Sequence, residues 1–335
     1  MKKIDRASAR LRSIGMLAAF AAFVVAGQAR AQTARWVPTQ NVELIVPTAA
    51  GSTMDLLARV IQNILQHDHL VDASMTVQAK PGAGGAVAWS YVSRKAGDAH
   101  YIAISGPTLL SNDIMRVGEL SYTDVTPLAQ LFTEYEVFAV KADGPIKSGG
   151  DLVAAMNAVV PPAVGVAPGI GGSSHVALLK LAKAAGIDAK HLTVVPFKGA
   201  NEAVNALLGG NIDVAIGTMS VLAPFVESGK LRAIAFAAPK PPEAAPFTVP
   251  TWKEQGFDVV EGNWRGIVGP KALTQSQVAF WQDKLAAMVE DETWRTTLQR
   301  NNWNADFADS AGSKRFLDQR YRELTATLST LHVAK

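Results

Sequence analysis

The sequence predicts an α/β protein in two lobes, each a parallel-type sheet flanked by helices. Three observations carry this expectation. Short apolar runs of strand length alternate with stretches of helical periodicity from Val42 to Ala237, the spacing expected of parallel strands joined by crossover helices. Glycine-bearing turns recur just past the strand ends, where open α/β sheets hold their ligands. The chain of 335 residues, 304 once a leader of 31 is set aside, is long enough for two separate cores.

Residues 1–31 read as a cleavable targeting segment. Lys2, Lys3, Arg6, Arg10 and Arg12 form a basic start, Ile14 to Val25 a short apolar run, and Ala29-Arg30-Ala31 an A-x-A cleavage site. The run is short for a bilayer span, so the expectation is export to the periplasm with the mature chain starting at Gln32. The leader carries six basic residues against Asp5, a net of +5, and the formal charge of +3 for the whole chain therefore becomes 3 − 5 = −2. That removes the electrostatic basis for a nucleic-acid or membrane-surface role. With zero cysteines, disulfides and thiolate metal sites are excluded.

Val42 to Leu65 reads as strand, turn and helix in one unit. Val42, Leu44, Ile45 and Val46 suit a strand covered on both faces, and Pro47 ends the ladder. Leu56, Leu57, Val60, Ile61, Ile64 and Leu65 form a helical stripe. In the turn between them, Ser52 caps the helix and Asp55 is placed to reach back in a capping box. The backbone N–H groups from Ala49 to Thr53 then face outward at a positive helix end, a seat for an anion; capping alone also accounts for both residues.

Met75-Thr76-Val77 is a second strand, followed by Lys80-Pro81-Gly82-Ala83-Gly84-Gly85 and a helix from Ala86 to Arg94. The glycine run misses the dinucleotide fingerprint at its last glycine, and no acidic residue sits about twenty positions on. Tyr101 to Ser105 is a third strand whose carboxyl end leads into Gly106-Pro107-Thr108, so Ser105, Gly106 and Thr108 are ligand candidates by position. Val137 to Lys141 is the crossover into a second lobe with strands at Val164–Val166, Leu192–Val195, Ile212–Ile216 and Leu231–Ala237. Gly172-Ser173-Ser174-His175 offers hydroxyls and an imidazole at a helix start. A hydrolase elbow wants G-x-S-x-G, so the cap is the better reading. The histidines form no metal-ligand spacing, and no P-loop, S-x-x-K or paired-carboxylate arrangement stands out, so no metal or cofactor is expected. The tail is helical, with Val278, Trp281, Leu285 and Met288 on one face and Leu317, Tyr321, Leu324, Leu328 and Leu331 on another.

Several of these stretches, taken in order, resemble the Bug (TctC-like) extracytoplasmic solute receptors of tripartite tricarboxylate transporters. They are P-x-x-x-G-S-T-x-D at Pro47–Asp55, K-P-G-A-G-G at Lys80–Gly85, Thr126-Pro127-Leu128, Gly172–His175, Phe197-Lys198-Gly199, and the run from Asn201 to Asp213. The most specific are Val249-Pro250-Thr251-Trp252-Lys253-Glu254-Gln255-Gly256 and the return strand Asn263 to Pro270. The resemblance spans Val42 to about Leu331. It departs at Gly97-Asp98-Ala99-His100-Tyr101, where the family usually carries Asp-Gly-Tyr-Thr.

The resemblance implies a type II periplasmic-binding-protein-like fold with an interlobe cleft, lobe 1 made of residues 36–140 and 262–335 and lobe 2 of 141–261. It implies a monomer that binds a small carboxylate-bearing solute (a dicarboxylate, amino acid or aromatic acid) and delivers it to a tripartite transporter's membrane subunits. The motifs and the strand ends together place the ligand on Thr48, Ala50, Gly51, Ser52, Thr53 and Asp55, on Gly84, Gly85 and Ala86, and on Ser105, Gly106 and Thr108. From lobe 2 come Gly171, Gly172, Ser173, Ser174, His175, Phe197, Lys198, Gly199 and Thr218. The competing readings are a secreted α/β hydrolase and a receptor that signals to a sensor kinase.

Overall fold

In the computed structural model, which describes residues 35–242 and 245–329, strands and helices alternate as the apolar pattern requires. The targeting segment and Leu331 lie outside the described residues. Strand β1 (Val42–Val46) is buried except at Glu43 and has parallel partners along both edges, β2 (Met75–Ala79) on one side and β3 (Tyr101–Ser105) on the other. Helix α1 (Thr53–His67) packs Leu57, Ile61, Ile64 and Leu65 inward. Leu56, read as part of the same stripe, instead sits 44% exposed on the first turn. Helices α2 (Ala86–Ser93) and α3 (Thr108–Ile114) follow β2 and β3.

The organising element is β4 (Val125–Lys141), a strand of 17 residues. Its first part pairs antiparallel with β9 (Gly262–Pro270) from Val125↔Pro270 to Tyr135↔Gly262, and with β10 (Asn304–Ala308). From Glu136↔Thr218 onward its partners are β7 (Val214–Thr218) and β8 (Leu231–Phe236). The strand order β2-β1-β3-β9-β4-β7-β5-β6 therefore joins two α/β halves through one shared strand, with β5 (Ala163–Val166) and β6 (Thr193–Pro196) completing the second. The sequence reading assigned only Val137–Lys141 to this strand; the structure extends it by twelve residues toward the N-terminus.

Each half has its own core. The first centres on Ile45, Trp89, Ala103 and Val268. The second has apolar layers on both faces of its sheet. One lies under α4 (Gly149–Met156) and α5 (Ser173–Ala184); the other lies under α6 (Ala200–Leu208) and α7 (Met219–Glu227). Past β9 come α8 (Gln275–Val289), α9 (Glu292–Asn301) and α10 (Ser310–Leu328). On α8, Trp281, Leu285 and Met288 are buried as the stripe predicts, and Val278 is half-buried. Helix α10 sets Leu317, Leu324 and Leu328 in one cluster with Leu110 and Ile114 of α3 and with Val176 and Leu179 of α5, so it bridges the two lobes.

Candidate functional site

The turn after β1 is held by side chains that close on its own backbone. Ser52 Oγ accepts the N–H of Asp55 at 3.2 Å and bonds Thr48 Oγ1 at 2.6 Å. The capping box expected of Ser52 and Asp55 is completed one residue early: Asp55 Oδ2 accepts the N–H of Gly51 at 3.0 Å, while the N–H of Ser52 goes to the Ala49 carbonyl. A left-handed φ of 79° at Gly51 brings its N–H within reach of that carboxylate. Arg59 holds both oxygens of Asp55, at 3.0 and 3.3 Å. The Gly51 N–H and the Arg59 contacts keep the buried Asp55 carboxyl below its ordinary pKa, hence charged. Gly51 and Ser52 thus spend their donors internally. The helix-start N–H groups of Thr53 and Met54 have no acceptor one turn back, and Thr53 is exposed while Met54 is buried.

The second turn packs directly against the first. Gly82, Ala83, Gly84 and Gly85 all have positive φ, and Gly85 lies so close to Trp89 and Pro47 that a Cβ there would stand 2.6 and 3.0 Å from them. Asn112 Nδ2 donates to the Ala83 carbonyl at 3.0 Å, which ties the turn to α3. Gly84 is exposed, whereas Gly85 and Ala86 are buried. At the end of β3, Ser105 is buried against β9, opposite Gly266. Gly106 lies under the Arg265 guanidinium, with a Cβ position 3.0 Å from Nη1 and 3.2 Å from Met54 Cε. Thr108 opens α3 and is half-buried.

In lobe 2, Gly171 to His175 are all buried. Ser174 Oγ bonds both the N–H and the carbonyl of Ala167 at 2.7 Å, and His175 Nδ1 accepts the N–H of Gly171 at 3.1 Å. Burial pushes His175 down to about 4, so it is neutral, with its proton on Nε2. Serine and histidine face different partners, an arrangement of loop pinning rather than of nucleophile and base. Gly171 reaches lobe 1, where its Cβ position falls against Met115 and lies 3.2 Å from Ser111. Thr218 ends β7 and bonds Ser220 at 3.1 Å. Phe197, Lys198 and Gly199 lie apart from this seam, at the end of the edge strand β6. The Phe197 ring packs toward Gly165 in the lobe core, and Lys198 is exposed with its N–H on Glu202.

The structure adds a charged cluster that the sequence reading did not single out. Glu134, Glu136 and Arg265 are 2, 1 and 8% exposed. They flank the point where β4 leaves β9 for β7. Glu134 takes the N–H of Ser220 at the start of α7 at 3.2 Å and also bonds Thr218. Glu136 bonds Ser173, the first residue of α5. Burial raises both carboxyls, Glu136 to about 8. Arg265 Nη1 donates to Asn263 Oδ1 at 2.5 Å and to the Trp264 carbonyl at 2.8 Å. Beside this cluster, Glu261 is matched by Lys180 at 2.6 Å and Arg320 at 2.5 Å, and Arg320 also pairs with Glu323. The available signal was the presence of three ionisable residues beside apolar runs, Glu134 and Glu136 just ahead of Val137–Val140 and Arg265 between Trp264 and Ile267. A cavity of about 250 Å³ lies elsewhere, against Leu298 and Trp303.

A sequence model described as tripartite tricarboxylate transporter family receptor matches residues 57–330. A Cupriavidus necator protein, described as the UPF0065 protein in the gbd 5′ region, is 26% identical over 322 residues, 96% of each chain. BugT of Bordetella pertussis is 26% identical over 264 residues, 76% of this chain and 78% of its own. Among solved structures, a TctC solute-binding protein from Polaromonas superposes with a TM-score of 0.72 at 25% identity, covering 87% of this chain and 99% of its own. An R. palustris protein with adipate gives 0.77 at 23% identity, covering 89% and 99%. MatC from Rhodopseudomonas palustris with bound malate gives 0.74 at 22%, covering 87% and 99%. At those identities the last two bear on the fold alone, a two-lobed α/β architecture.

Proposed function

Since the chain belongs to the tripartite tricarboxylate transporter receptor family, a family of solute-binding receptors and not of enzymes, we propose that it captures a small carboxylate-bearing solute in the periplasm. It then delivers that solute to the membrane subunits of a tripartite transporter. The observation that carries this reading is the convergence of two helix starts in lobe 1. The loop that leads from β1 into α1 meets the start of α2 at the Gly85–Pro47 contact, and Thr53 and Gly84 are exposed at the two helix starts. Backbone donors at positive helix ends suit a carboxylate. The adipate and malate bound by two proteins of the same fold are consistent with that chemistry.

Lobe 2, taken as residues 141–261, closes over the seat, with Gly171 against Met115 and α10 carrying both lobes; lobe 1 comprises 36–140 and 262–335. Closure buries the ligand and shifts an open-to-closed equilibrium, which is the signal a membrane partner reads. A thermal-shift panel tests the carboxylate. At a hundredfold excess over its dissociation constant a ligand adds about 2.7 kcal/mol, and free acids should raise the transition while their methyl esters do not. Esters that stabilise as well as acids would refute the carboxylate seat.

A further inference from the structure

The buried cluster at the crossover is short of one positive charge. Glu261 and Glu323 are balanced by Lys180 and Arg320. Glu134 and Glu136, by contrast, have no ion pair among the described residues, and Arg265 acts on both from a distance. The hydrogen bonds repeat the deficit. Glu134 is engaged by Ser220 and Thr218, whereas Glu136 Oε2 is fully buried and has no partner. A buried carboxylate oxygen without a donor carries the full cost of its lost hydration. Glu136 stands opposite Thr218 at the carboxyl end of β7, and its carboxyl group bonds Ser173 at the start of α5. Arg265, on the lobe 1 side of the same cluster, lies against Gly106 and Met54 beside the carboxylate seat.

Resting on the carboxylate reading above, we propose that Glu136, backed by Glu134, is the specificity-determining carboxyl of the cleft. It receives an ammonium group on the same ligand whose carboxylate is held by lobe 1 and Arg265. The solute is then a zwitterionic amino acid rather than a plain dicarboxylate. An ammonium supplies both things the cluster lacks, a positive charge and an N–H donor for Glu136 Oε2. Without it a proton takes that place, in keeping with the rise of Glu136 to about 8. The charged groups acting on Glu136 are Glu134 on its own strand, Arg265 on β9 and Glu261 ahead of β9. None of them provides a second cation.

The test titrates the wild-type protein by calorimetry with pairs of acids that differ only in the amino group: aspartate and succinate, glutamate and glutarate, alanine and propionate, phenylalanine and 3-phenylpropionate. The amino member of a pair should bind more tightly by on the order of tenfold to a hundredfold, the range of a charge-assisted hydrogen bond. At pH 7 it should also release close to one proton, read from heats in two buffers of different ionisation enthalpy. Glu136→Gln, and separately Glu134→Gln, should lose the preference and, for Glu136→Gln, the proton release, while circular dichroism shows a folded protein. Equal affinity within the pairs, tighter binding of the amine-free acids, or a preference untouched in both variants overturns the proposal and leaves the carboxylate reading standing. If methyl esters bind as well as acids, or if neither series binds, both readings fall.

Discussion

Two glycines with the same backbone demand separate strain from packing. Gly51 and Gly85 both have left-handed φ, 79° and 101°, so alanine at either costs about 1–2 kcal/mol in backbone energy. At Gly51 nothing lies within 4 Å of the new methyl group, and the cost ends there. At Gly85 the methyl would stand 2.6 Å from Trp89 Cη2, 2.9 Å from Cζ3 and 3.0 Å from Pro47 Cβ. The indole cannot swing aside, because it is fully buried and its Nε1–H is bonded to the Ile104 carbonyl at 2.9 Å. Overpacking of that kind adds roughly 1–3 kcal/mol, bringing the total for Gly85→Ala to about 2–5 kcal/mol. Urea unfolding followed by circular dichroism measures both variants on one scale. Gly85→Ala should be the less stable by at least about 1 kcal/mol, which is roughly 2–4 °C in Tm for a domain of this size. If the two variants unfold within ~0.5 kcal/mol of each other, Gly85 does not pack the start of α2 onto β1 as described.

Three further outcomes follow from other parts of the molecule. Glu136, raised by burial from 4.5 to about 8, keeps a proton in the folded state that the unfolded chain has lost, so its contribution is full below 4.5 and disappears as pH rises through 8. His175, lowered by burial from 6.5 to about 4, acts in the opposite sense, and its contribution is complete above 6.5. The ligand-free protein should therefore lose stability from pH 6.5 to 8, by at most ~2 kcal/mol, and Glu136→Gln should flatten that slope; a parallel fall in wild type and variant would refute the assignment. Gly171→Val should prop the lobes apart, since its side chain meets Met115 and Ser111 of lobe 1. Small-angle scattering at saturating ligand should show a larger radius of gyration than wild type, partly restored by adding Met115→Ala; an unchanged radius would refute the contact. Ser52→Ala removes the cap on Asp55 and the bond to Thr48 and should cost on the order of 1 kcal/mol in thermal unfolding. No loss there would show that Asp55 alone holds the turn.

By itself the sequence determined the elements whose signals are local. The apolar run of β1 with Pro47 at its end, the Ser52 cap on α1, and the glycines that open α2 and α5 are all legible within a few residues. The contacts they make are between near neighbours, and the periods of strand and helix leave a direct trace. The same locality explains why the Asp55 reach-back was placed one residue off. A capping pattern specifies the spacing, while the φ of Gly51 selects which N–H is met. The tertiary structure alone decided the first part of β4 and the cluster built on it. Pro127, Gln130 and Thr133 break the apolar pattern there, and the strand exists because β9, more than a hundred residues later, supplies its ladder. Glu134, Glu136, Arg265, Ser173 and Ser220 come from four separate elements, and their meeting depends on register and lobe packing. A linear pattern cannot encode which distant side chains share a buried face, because burial and charge balance become defined only once the chain has folded.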